Sequence, residues 1–132
     1  MLILDHIFHP LRLRRRQKML DQVQNLLAKE ESWTQCSMAK TSYETSVSPS
    51  HPEAVKFCML GAIAKCDDRY NNLHPSLAAS DAEGAIIEAA LRAHYIFKDH
   101  EVLPGVACIN DSPFTTHEVV VDLLAKAKRM PL

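Results

Sequence analysis

A chain of 132 residues and 14.8 kDa supplies one domain and excludes multidomain machinery. With 47% apolar and 23% charged residues it can bury a core, which excludes wholesale disorder. A net charge of −1 and a pI of about 6.6 give no global field to draw nucleic acid, and only 3 glycines leave no Gly-rich loop to cradle a phosphate.

The charge is nevertheless uneven. Residues 1–18 hold Arg12, Arg14, Arg15, Arg16 and Lys18 against Asp5, a net +4, so the remainder carries −5. The opening MLILDHIFHPLRLRRRQ places apolar residues before its arginines, the reverse of a secretory signal, so no export signal is expected. The arginines read as a solvated tail. With Leu2, Ile3, Leu4, Ile7, Phe8, Leu11 and Leu13 they could also contact an acidic or membrane surface.

Leu20, Val23, Leu26 and Leu27 recur at helical spacing and predict a helix over 19–31, which Pro10 limits upstream. Thr34–Ala39 reads as one or two helical turns, and Thr41–Pro52, rich in Ser, Thr and Pro, as a loop. Ser50-His51-Pro52-Glu53 has capping-box spacing and predicts a helix to about Cys66. The centre of that helix, Phe57–Ala64, is apolar all round, so it should be enclosed by the others. Gly61 in its middle costs roughly 1 kcal/mol against alanine and suggests the close approach of another backbone, as at a helix crossing. Alanine there should be tolerated or mildly stabilising, whereas leucine should overpack by about 1–3 kcal/mol.

After a turn at Asp67–Pro75, Ser80-Asp81-Ala82-Glu83 repeats the box and predicts a helix to about Phe97, with Ile86, Ala89, Ala90, Ala93 and Phe97 inward. Asp99–Phe114 reads as irregular, with Val106–Ile109 a buried extended run after the Pro104-Gly105 turn. Thr115-Thr116-His117-Glu118 opens a last helix with Val120, Leu123, Leu124 and Ala127 inward, and Pro131 stops it. The expected class is mainly α: one compact four-helix domain around a central apolar helix, with long irregular connections.

Cys36, Cys58, Cys66 and Cys108 form no C-x-x-C pair, and the seven histidines, His6, His9, His51, His74, His94, His100 and His117, show no ligand spacing, so neither a metal nor another cofactor is expected. Free thiols and the lack of a spanning apolar run fit a cytoplasmic protein.

Three segments carry a further signal: Ser32-Trp33-Thr34-Gln35 with Met38-Ala39-Lys40, then Ala54–Ala62 with Cys58 and Gly61-Ala62, then Asn110-Asp111 before the helix containing Glu118-Val119. In order and spacing this set resembles the small bacterial and phage proteins grouped as domain of unknown function family 6197, over about residues 19–129. Two places depart from the family pattern: Cys36 stands where glycine is usual, and Ile109 where tryptophan usually precedes Asn-Asp. The resemblance implies no established activity. It implies a domain spanning 19–132, with residues 1–18 an extension or an upstream over-reading.

Two functions follow. The first is a non-enzymatic helical interaction module, a phage or mobile-element accessory acting on a host macromolecule, with protein as the partner class; Trp33, Gln35, Asn110 and Asp111 would form a small polar pocket with one aromatic wall. Each has a bland alternative: Trp33 as half-buried core, Asn110 and Asp111 as turn braces. The second is a thiol-dependent hydrolase or transferase using Cys58 as nucleophile, Gln35 to polarise a carbonyl and Asn110 or Asp111 to orient a base. Against it, an apolar helix centre raises a thiol's pKa and blocks access, the setting of a packing thiol.

Overall fold

The stripe of Leu20, Val23 and Leu27 is buried, but the helix that carries it runs from Ile3 to Leu26 (α1). A computed structural model describes residues 3–67, 75–95 and 105–132, with side chains from residue 9 onward. Pro10 lies inside α1 rather than limiting it; it is exposed, and the N–H it lacks removes a single bond of the helical ladder. At the other end the chain leaves α1 five residues earlier than expected and makes one 3₁₀ turn at Glu30–Ser32.

Thr34–Ala39 is not helical; residues 35–38 form bends. Trp33 bridges to Phe57, the Thr34 N–H donates to the Phe57 carbonyl at 3.0 Å, and Cys36 takes a φ of 64°, which no right-handed helix accommodates. The segment leads into a strand, Ala39–Lys40 (β1), which pairs antiparallel with Ser46–Val47 (β2) on one side and Lys56–Phe57 (β3) on the other. The expected loop over 41–52 therefore contains a strand, and the expected helix start at Ser50 is a turn. There the His51 Nδ1 accepts from the Glu53 N–H at 3.0 Å, and 55–58 pairs with β1 before helix begins. Long-range strand pairing overrides the local capping signal.

The helix itself is Met59–Cys66 (α2), with Met59, Gly61, Ala62 and Ile63 buried. The next, Leu77–Arg92 (α3), starts one turn before the Ser80 box, because Ser76 caps it by accepting from the Ala79 N–H at 3.1 Å while Asp81 pairs with Arg12. The expected end at Phe97 and most of the turn before Pro75 lie outside the described residues. Val106–Asp111 is a short helix (α4), not an extended run; Val106, Ile109 and Asn110 are its buried residues, a helical spacing. The last helix is His117–Ala127 (α5), capped by Thr116 rather than Thr115, with Val120, Leu123, Leu124 and Ala127 buried as expected.

The class is mainly helical, with a small three-stranded sheet and five α-helices among the described residues. The helix that packs most widely is α3, against α1 and α5, while the shorter α2 lies against α1, α3 and α4. The alanines of α3 (Ala79, Ala82, Ala85, Ala89 and Ala90) are buried and let those neighbours approach closely. Arg16 is also buried, only 1% exposed; its guanidinium donates to the carbonyls of Met130 and Pro131, and the Gln17 amide donates to the Lys128 carbonyl. These carbonyls lie past the last turn of α5, where no helical N–H remains to meet them. The start of the chain thereby closes its end.

Gly61 does meet another backbone, but not at a helix crossing. A Cβ added there would sit 1.8 Å from the Met38 carbonyl oxygen and 2.7 Å from its carbon. The same oxygen accepts the Cys58 N–H at 3.2 Å, so the approach is the price of pinning the strand segment onto the start of α2. Alanine at this position is therefore expected to be destabilising, contrary to the expectation from helix propensity.

Candidate functional site

Trp33, Gln35, Asn110 and Asp111 meet, although they come from opposite ends of the chain. Asn110 is fully buried at the end of α4. Its Oδ1 accepts from the Trp33 Nε1 at 2.8 Å and from the Met59 N–H at 3.0 Å; its Nδ2 donates to the Thr34 carbonyl and to the Asp111 Oδ1, each at 3.0 Å. An amide has two acceptor sites and two donor hydrogens, so the capacity of this side chain is filled. The Met59 N–H is one of the unmet donors of the first turn of α2, and Asn110 supplies what that helix start lacks.

Gln35 works on the other side of the same corner. Its Nε2 donates to the carbonyls of Asn110 at 2.9 Å, Ser112 at 3.0 Å and Thr115 at 3.3 Å, the open carbonyls at the end of α4 and in the loop to α5. The Thr115 hydroxyl donates to the Ile109 carbonyl at 2.6 Å, tightening that loop further. Asp111 Oδ1 accepts from the Cys36 N–H at 2.8 Å. Cys36 stands in the left-handed region that glycine adopts without strain, which is a physical reason for the glycine found there in the pattern this sequence resembles.

Trp33 is half-buried, and its ring lies 6.2 Å from that of His117 at 44°. His117 Nε2 is 2.7 Å from the Leu27 carbonyl, which can only accept, so this nitrogen carries the hydrogen. Both rings thus help dock the start of α5 onto the end of α1.

Cys58 is 3% exposed, and its sulfur caps α2 by accepting from the Gly61 N–H at 3.2 Å. Burial pushes the thiol upward, with the Gly61 N–H acting in the opposite direction. A thiol held neutral in this way is a poor nucleophile. All four cysteines are free, and among the described residues no group of three or more His, Cys, Asp and Glu side chains could hold a metal ion. Nor is any described helix long and apolar enough to cross a membrane.

Sequence reasoning overlooked the cap formed by Cys58 and the inward turn of Arg16. No signal marked the first, since the cap exists only because pairing with β1 delays the start of α2 to Met59. For Arg16 there was none, because its neighbours Arg14 and Arg15 are exposed and of the same type.

Fold and site together define a small, mainly helical domain in which one buried asparagine locks a short sheet, the start of one helix and the end of another. The family of unknown function DUF6197 matches residues 13–130, and the chain belongs to that family. Neither the curated proteins nor the solved structures give a match.

Proposed function

We propose that this chain is a non-enzymatic helical binding module with protein as its partner, an accessory of the kind a phage or mobile element directs at a host macromolecule. One observation carries the reading. The four polar side chains singled out for chemistry are engaged by the chain itself: Asn110 in four hydrogen bonds, Gln35 on three carbonyls, Asp111 on the Cys36 N–H, and Cys58 on the Gly61 N–H. On this reading Trp33, Gln35, Asn110 and Asp111 act by holding the fold rather than by orienting a ligand, and binding falls to the outer surface. Four free cysteines accord with a cytoplasmic setting.

The test is alkylation of the folded protein with iodoacetamide, followed by peptide mapping. Cys36 and Cys108, both exposed, should react in buffer, and Cys58 only after denaturant is added. Labelling of Cys58 in the folded state faster than Cys36 would overturn the reading in favour of a thiol enzyme. Retrieval of no partner from a native host extract at mild salt would count against it as well.

A further inference from the structure

Two open cavities run together along the outer side of α1. The first, about 320 Å³, is lined by Leu11, Arg12, Arg15, Ser76, Leu77 and Asp81 among others; the second, about 340 Å³, shares Arg15 and Ser76 and continues past Lys18 to Gln22 and Cys66. Together they form a groove between α1 and the start of α3.

The exposed apolar side chains of this groove are Leu11 and Leu77, the latter 58% exposed at the start of a helix whose Ala79, Ala82, Ala85 and Ile86 are buried. Among the described residues its charge is positive. Asp81 is neutralised by Arg12 in a two-pronged bridge, both bonds 2.7 Å long, and Asp67 is buried and accepts the Ser76 N–H at 2.9 Å. Arg15 and Lys18 are exposed and, among the described residues, form no ion pair. The groove thus offers an apolar seat beside two available cations, on a chain whose residues after position 18 carry net negative charge.

We infer that this groove docks an acidic amphipathic segment of a partner protein, seating an apolar side chain between Leu11 and Leu77 and carboxylates on Arg15 and Lys18. The inference rests on the binding-module reading and adds to it a face and a partner chemistry. Helix-in-groove recognition uses this combination of apolar anchors and flanking charge, and arginine meets a carboxylate with two parallel bonds. Nucleic acid fits less well, since two cations neutralise few phosphates and the acidic remainder of the chain repels the backbone. A membrane fits less well because the apolar contacts lie in a concavity rather than along a protruding stripe.

The experiment uses the full chain and a fluorescein-labelled, end-capped peptide of about 14 residues with leucines at helical spacing and glutamates elsewhere. A matched peptide has lysine in place of glutamate, and anisotropy is the readout. The glutamate peptide should bind saturably, and both Arg15→Glu/Lys18→Glu and Leu77→Asp should weaken it by about tenfold or more while keeping the wild-type circular dichroism spectrum. The lysine peptide should bind the charge-reversed variant better than the wild type, a gain that misfolding could not produce. Absence of saturable binding, or equal affinity for wild type and variants, would overturn the inference. So would a single-stranded oligonucleotide or phosphatidylglycerol vesicles binding more tightly than the peptide through the same residues. If the variants retain a host partner that the wild type captures, the groove is refuted while the binding-module reading stands.

Discussion

Replacing Gly61 by alanine sets helix propensity against tertiary packing, and the structure says which prevails. Within a helix the change from glycine to alanine is worth about 1 kcal/mol in favour of the variant. The added methyl group, however, would stand 1.8 Å from the Met38 oxygen, an atom of the backbone that cannot rotate away. Restoring ordinary contact requires a displacement of about 1.5 Å, which breaks the bond from the Cys58 N–H, worth about 0.5–1.5 kcal/mol. The strain passed to β1, which is paired on both sides, adds about 1–3 kcal/mol of overpacking. The net expectation is a loss of about 1–3 kcal/mol, or several degrees in Tm. Gly84 is the internal control: it lies exposed on α3 with nothing within 4 Å of an added Cβ, so Gly84→Ala should gain about 0.5–1 kcal/mol. Urea denaturation followed by circular dichroism and by the fluorescence of Trp33, the sole tryptophan, measures both. If Gly61→Ala proves as stable as the wild type while Gly84→Ala gains, the Met38 contact is not what selects glycine.

The same structure sets two further outcomes. Asn110→Ala strands the buried Met59 N–H and the Thr34 carbonyl and frees the Trp33 indole, so it should cost about 3–5 kcal/mol, with a shifted Trp33 emission in whatever folded fraction remains; a loss under about 1 kcal/mol in urea denaturation would refute the clamp. Burial pushes the Glu83 carboxyl above its usual range, so the native state binds that proton more tightly than the unfolded chain and stability falls as pH rises between the unfolded and the raised native value. Glu83→Gln should therefore be more stable than the wild type at about pH 7 and not at about pH 3, and an equal gain at both in the urea midpoint would rule out the titration.

The sequence by itself determined the helical class and the buried faces of α1, α3 and α5, because each of these is written in a local period; it singled out Trp33, Gln35, Asn110 and Asp111 by residue type and order, which does not write their contacts. Leu20, Val23 and Leu27, or Val120, Leu123, Leu124 and Ala127, declare a face without reference to anything distant. What only the tertiary structure decided is how those residues are used. Ser50–Glu53 has a helix-start signal, yet 55–58 is extended because β1 presents unpaired backbone groups to it. Val106–Ile109 lacks a decisive period over so few residues, and it becomes helical where Asn110 can turn into the core. Trp33, Gln35, Asn110 and Asp111 look in the sequence like groups awaiting a ligand. Apart from the bonds they make with one another, their partners are the backbone amides and carbonyls of Thr34, Cys36, Met59 and the α4–α5 loop, and since every residue carries such groups, no sequence pattern marks which of them will be left unmet when the chain folds.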